Sequence, residues 1–213
     1  MFLVIYSLPK AGQTYMSYLL RDCGVFVRKE ASCTLRDSGL ISWHAINCTK
    51  LSSREDCVLF HQMRDPLKQI RAWNVHTGDR SSRRIKKVVG HLGNREGDFH
   101  DAPTSMDRDL VFNHLWNKRI EDEIYGRKNF GGCYRVEDVD ADLVEKMCWF
   151  TGNKSDPTLI AEKLNTVPRD TNSGEFGRRG VDWLERQGFS WEDFTEGPYL
   201  EACKERARKH GYL

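Results

Sequence analysis

Phe2-Leu3-Val4-Ile5-Tyr6 is an unbroken apolar run, the pattern of a short strand buried on both faces of a parallel sheet. The run ends at Ser7-Leu8-Pro9, and Gly12 follows. Tyr15, Met16, Tyr18, Leu19 and Leu20 then recur at helical spacing until Gly24. The first unit therefore reads strand, tight loop, helix. Val25–Val27 and Leu40–Ile46 are further strand candidates. Cys57–Phe60 is a fourth, followed by the loop Gln62-Met63-Arg64-Asp65-Pro66. Pro66 suits the first turn of a helix, where its missing N–H removes no hydrogen bond. Leu67, Ile70 and Trp73 would form that helix's inward face. Two such units in this order predict an α/β fold, a parallel β-sheet flanked by helices with right-handed crossovers.

From residue 77 to 105 the periodicity dissolves into Gly, Arg, Asp and Lys, as in a long functional or mobile loop. Its basic run, Arg80, Arg83, Arg84, Lys86 and Lys87, reads as a solvated segment or as a lid that greets an anionic acceptor. A helix carrying Leu110, Val111, His114, Leu115 and Ile120 follows. Phe130–Val136 reads as a late strand, Leu143–Phe150 as a helix and Pro198–His210 as a final helix, with a loop over 167–180. The tryptophans Trp73, Trp116, Trp149, Trp183 and Trp191 are expected in the core or at its rim. With no internal repeat, a single domain over 1–213 is expected.

Composition narrows the function classes. Hydrophobic residues at 39% and charged residues at 30% describe a folded, water-soluble chain. The net charge of +2 lacks the basic excess of a general nucleic-acid binder, so no nucleic-acid partner is expected. No run reaches the ~18 apolar residues of a membrane span. Met1–Tyr6 is too short for a secretory signal, which makes a cytoplasmic location the expectation. Seven cysteines, an odd number without a C-x-x-C pair, argue against a disulfide framework or a zinc site. They read as free thiols packed as small hydrophobes. His76, His91 and His100 are too scattered to hold a metal.

The chemistry concentrates in Pro9-Lys10-Ala11-Gly12-Gln13-Thr14, with Tyr15 opening the helical face. A strand feeding a glycine turn and then a helix aims backbone N–H groups at one point, and the helix N-terminus adds partial positive charge there. Lys10 supplies a full charge and Thr14 a hydroxyl. An anion is the ligand such a loop suits. The order differs from the Walker pattern G-x-x-x-x-G-K-[ST], because here the lysine precedes the glycine.

Pro-Lys-x-Gly-x-Thr resembles the 5′-phosphosulfate loop of sulfotransferases that use 3′-phosphoadenosine 5′-phosphosulfate (PAPS). Arg64-Asp65-Pro66 is similar to that family's second signature, in which the arginine holds the donor's 3′-phosphate. A guanidinium suits this role through paired, charge-assisted hydrogen bonds. Ala72 stands where the family usually has a serine contacting the same phosphate. Tyr134-Arg135-Val136-Glu137-Asp138 resembles a further family segment, with Val136 where an adenine-contacting tyrosine is common. Thr171-Asn172-Ser173-Gly174 and Phe176-Gly177-Arg178-Arg179-Gly180 resemble the late loop that closes over the 3′-phosphate. Lys209-His210-Gly211-Tyr212 looks like the family's terminus.

The resemblance implies a P-loop NTPase-like sulfotransferase fold. It also implies PAPS as donor, PAP as product, no metal, and a small-molecule or carbohydrate acceptor. In that chemistry Lys10 neutralises charge on the bridging oxygen and on the departing 5′-phosphate, and a base takes the acceptor's proton. Two residues compete for the base. His44 lies near where branches that sulfate small molecules carry a histidine, and Glu30 near where carbohydrate-sulfating branches carry a glutamate. The preference is for His44, whose ordinary pKa of about 6.5 is close to working pH. Two other readings stay open: a P-loop small-molecule kinase, and a catalytically inactive nucleotide-binding protein of the same fold.

Overall fold

The structure, a computed structural model, describes residues 1–29, 38–42, 44–77, 90, 92, 96–167 and 190–213. Strands β1 (Phe2–Ser7), β2 (Val27–Lys29), β3 (Gly39–Ser42), β4 (Cys57–Met63) and β5 (Phe130–Arg135) form one sheet in the order β2-β3-β1-β4-β5. Every neighbouring pair is parallel. Helices are α1 (Gln13–Asp22), α2 (Thr49–Ser52), α3 (Pro66–Thr77), α4 (Glu96–His100), α5 (Ser105–Ile124), α6 (Ala141–Phe150), α7 (Pro157–Thr166) and α8 (Pro198–Lys209). The expected parallel α/β architecture is present.

The chain divides into two compact units, Met1–Arg64 with Ile120–Ser173, and Asp65–Arg119 with Gly174–Leu213. The first unit holds the sheet. Leu3 and Ile5 of β1, Met16, Leu19 and Leu20 of α1, and Val144 and Met147 of α6 form one fully buried cluster. Each of these side chains contributes roughly 1.5–3 kcal/mol by leaving water. The unbroken apolar run of β1 is thus explained by burial on both faces.

In the second unit, Ile70, Leu110, Trp191, Phe194, Leu200, Cys203 and Ala207 make a separate core. Asp107 ties the segment before α8 to the start of α5. Its carboxylate accepts from Thr195 N (3.0 Å), Thr195 Oγ1 (2.9 Å) and Thr104 Oγ1 (2.7 Å).

Several boundaries differ from expectation, each for a local reason. Strand β4 runs on through His61 and Gln62 to Met63, with all seven residues buried. Their polar groups have partners inside: His61 Nδ1 lies 3.1 Å from Tyr125 Oη, and Gln62 bonds both Ala11 O and Tyr134. Strand β3 stops at Ser42, and His44–Asn47 forms a 3₁₀ turn instead of continuing it. The late strand likewise ends at Arg135, because Val136–Asp138 is a 3₁₀ turn. Helix α7 has only Ile160 buried, so its periodicity is weak. It begins with an Asp156 cap and Pro157 in the first turn.

Trp149 is 72% exposed, not in the core, since Val144, Met147 and Cys148 take the inward face of α6. Trp116 and Trp191 are buried as expected. Cys23, Cys57, Cys133, Cys148 and Cys203 are free thiols, but Cys48 is disulfide-bonded, which corrects the expectation of thiols throughout. Among the described residues no helix is long and apolar enough to cross a membrane.

Candidate functional site

Parallel strands deliver their carboxyl ends to one edge of a sheet, and ligands of such sheets bind there, where the strand order reverses direction. In this sheet the reversal falls between β1 and β4, since β3 and β2 lie to one side of β1 and β4 and β5 to the other. The loop after β1 carries Pro9–Gly12, and β4 ends at Met63 with Arg64 next. The remaining strands add Lys29 at the end of β2, His44 shortly after β3, and Val136 directly after β5.

The loop after β1 has an uncommon backbone. Lys10 has φ +65°, and it is the one non-glycine residue with positive φ among the described residues. Such a conformation costs an L-residue roughly 1–2 kcal/mol. Gly12 follows at φ +86° and caps α1 without a side-chain hydrogen bond. No acidic residue occupies the first turn of α1, so the positive end of the helix is not neutralised from within. Left-handed residues ahead of an uncapped helix turn successive N–H groups toward a common point, a geometry that accepts anions.

Neighbouring strands hold this shape. Arg64 Nη1 donates to Lys10 O at 2.9 Å, and Gln62 Nε2 donates to Ala11 O. Tyr134 Oη donates to Gln62 Oε1 at 2.7 Å, fixing the amide's orientation. Burial pushes the Tyr134 phenol well above its usual pKa, so it keeps the proton it donates. Gln13 Nε2 reaches back to Ser7 Oγ at 2.6 Å. Val136 covers the glycine: a Cβ built on Gly12 would lie 2.6 Å from Val136 Cγ2. Val136 is therefore a wall of the loop, and it is 9% exposed.

Lys10 and Thr14 are half-buried, whereas Ala11, Gln13 and Tyr15 are buried. Thr14 Oγ1 lies 2.5 Å from Lys29 Nζ. Of the residues singled out from the sequence, the structure brings Pro9, Lys10, Ala11, Gly12, Gln13, Thr14, Tyr15 and Arg64 into one unit. Ala72 lies in α3, in the other unit. His44 opens the 3₁₀ turn after β3. Glu30, Arg178, Arg179 and Gly180 lie outside the described residues, as do Thr171–Gly174, Trp183 and the basic run from Arg80 to Lys87.

Gln62 and Lys29 are participants to which the sequence reading gave no role, and Tyr134, named there only within a family-like segment, orients Gln62. Gln62 had a visible signal, an amide two residues beyond the apolar run Cys57–Phe60 in a position that proves fully buried. Lys29 had none beyond its charge. Among the described residues, no group of three or more His, Cys, Asp or Glu is placed to hold a metal ion.

No family model matches the sequence, and no curated protein does. Two sulfotransferases are among the solved structures that match. A mouse sulfotransferase complexed with PAP aligns over 99% of this chain and 84% of its own, at 10% identity and a TM-score of 0.48. A sulfotransferase from Alicyclobacillus acidocaldarius aligns over 87% of this chain and 94% of its own, at 15% identity and a TM-score of 0.42. At these scores neither likeness assigns an activity.

Proposed function

We propose that this chain is a sulfotransferase that moves a sulfuryl group from PAPS to a hydroxyl or amine of a small-molecule or carbohydrate acceptor. The observation that carries the reading is the convergence of Lys10 and Arg64. The guanidinium that follows β4 bonds the backbone of the lysine that follows β1, at the point where the strand order reverses. A donor with a phosphate at each end of its ribose needs two cationic sites fixed relative to each other. The bond from Arg64 to Lys10 O, which ties the arginine to the loop, supports that pairing.

The chain's own residues would act mainly by placement and charge. Amides of the first turn of α1 and the Thr14 hydroxyl would hold the 5′-phosphate oxygens. Lys10 would sit against the bridging oxygen between phosphorus and sulfur. As the acceptor's oxygen or nitrogen forms its bond to sulfur, the bond from sulfur to that bridging oxygen breaks. The electron pair stays on the departing phosphate, where Lys10 neutralises it. His44 would take the acceptor's proton, with Glu30 as the rival. Arg64, whose Nη1 is engaged by the loop, would use its remaining N–H groups for the 3′-phosphate. No metal has a part in these steps. Cytoplasm is the proposed compartment, with the Cys48 disulfide as the observation against it.

The test is transfer of labelled sulfate from PAPS to a panel of sugars, phenols and amines, comparing the wild-type chain with Lys10→Ala. Transfer by the wild type, lost by at least about a hundredfold in the variant with the fold intact, is the expected result. A variant with unimpaired turnover would contradict the role given to Lys10.

A further inference from the structure

We infer that Lys29 is a second cation of the phosphate-binding loop, a positioning residue that acts through the hydroxyl of Thr14. The inference rests on the nucleotide-binding reading above and assigns a residue that this reading did not use.

Lys29 is the last residue of β2, two strands away from β1 in the sheet, and its side chain crosses to the second residue of α1. Nζ and Thr14 Oγ1 are 2.5 Å apart. An ammonium has donors only, so in this contact the threonine oxygen accepts. The single hydroxyl proton must then go elsewhere. A helical threonine ordinarily returns that proton to the carbonyl three or four residues earlier. For Thr14 those carbonyls belong to Ala11 and Lys10. Each already accepts a side-chain hydrogen bond, Ala11 O from Gln62 and Lys10 O from Arg64. Each carbonyl keeps a second lone pair, but Lys10 and Gly12 are left-handed and hold this stretch off the helical path, so the hydroxyl proton is directed to an anion at the mouth of the loop.

Lys29 thus has two effects. It sets the direction of the Thr14 hydroxyl, and it adds a positive charge about two hydrogen-bond lengths from any phosphate oxygen that Thr14 holds. Both act on the 5′-phosphate end and neither on the 3′-phosphate. Lys29 is exposed, so its charge is also free to follow the ligand as the leaving phosphate gains charge.

The experiment is calorimetry with three probes: adenosine 3′,5′-bisphosphate, adenosine 3′-monophosphate and inorganic pyrophosphate. The proteins are wild type, Lys29→Met, Lys29→Arg, Thr14→Val and the double variant Lys29→Met/Thr14→Val. Lys29→Met is expected to weaken the bisphosphate about tenfold and the 3′-monophosphate not at all. It should also flatten the salt dependence of bisphosphate binding, a change that a purely structural role would not produce. Lys29→Arg should recover most of the loss. In the Thr14→Val background, Lys29→Met should cost much less than it does alone.

Equal losses for both adenosine probes, or full additivity of the two substitutions, would overturn the inference. Wild-type binding of the bisphosphate with Lys29→Met unchanged would overturn it while sparing the donor reading. Lys29-dependent binding of pyrophosphate by a chain indifferent to the bisphosphate would do the reverse. A chain that binds none of the probes overturns both.

Discussion

Replacing Gly12 with alanine tests whether the loop's geometry is built from the parts described. Two costs are separable in the structure. The backbone of Gly12 sits at φ +86°, where an L-residue carries a penalty of roughly 1–2 kcal/mol. The new methyl would lie 2.6 Å from Val136 Cγ2, far inside the ~3.5–4.0 Å at which carbon atoms attract. Overpacking of this kind costs about 1–3 kcal/mol. Gly12→Ala should therefore destabilise the chain by about 2–5 kcal/mol in all.

Val136→Ala removes the second cost and leaves the first. The Gly12→Ala penalty should fall to roughly 1–2 kcal/mol in that background, although Val136→Ala itself loses about 1.6 kcal/mol of burial. The assay is urea unfolding followed by far-ultraviolet circular dichroism on the wild type, both single variants and the double variant. The coupling is read from the midpoints at constant slope. A Gly12→Ala chain within about 0.5 kcal/mol of wild type would refute the reasoning. So would the same penalty in both backgrounds, because then Val136 does not bear on the glycine.

Arg64→Ala should weaken adenosine 3′,5′-bisphosphate at least about tenfold more than adenosine 5′-monophosphate. Equal losses would leave Arg64 as a brace for Lys10 O and nothing more. His44→Ala should lower turnover with little change in donor affinity; if Glu30→Ala does this and His44→Ala does not, the base is the glutamate. Asp107→Asn should destabilise the second unit by about 1–3 kcal/mol, because the carboxylate accepts three hydrogen bonds there.

Burial alone would raise the pKa of Asp107. The hydrogen bonds from Thr104 and Thr195 together outweigh it and hold the carboxyl below its ordinary value. A folded pKa below the unfolded one means that the stabilisation is complete above the ordinary carboxylate range and is lost as pH falls through the folded value. Urea midpoints measured at pH 6 and pH 3 should therefore drop less in Asp107→Asn than in wild type. An identical acid loss in both would contradict the assignment.

The first strand, its loop and its helix were readable because three independent signals agreed there. A fully apolar run, a glycine at the turn and helical spacing from Tyr15 to Leu20 all pointed the same way. Strand β4 was read short for a physical reason. His61 and Gln62 look like the end of a buried strand, and only their partners Tyr125, Ala11 and Tyr134, 51 or more positions away, make their burial tolerable.

Lys29 was invisible for a related reason. A lysine beside an arginine at the end of a short strand reads as solvated surface until the fold carries it to Thr14. Helix α7 had a start signal in Asp156-Pro157 but too little buried surface to give a stripe. Pattern reading finds elements whose stabilisation is local. It misses groups whose justification is a contact across the sheet.

The most direct measurement is isothermal calorimetry of the purified wild-type chain with adenosine 3′,5′-bisphosphate. The account predicts saturable one-to-one binding that weakens sharply when Lys10 or Arg64 is replaced by alanine. A folded chain that takes up no bisphosphate, or takes it up equally well without either cation, would contradict it.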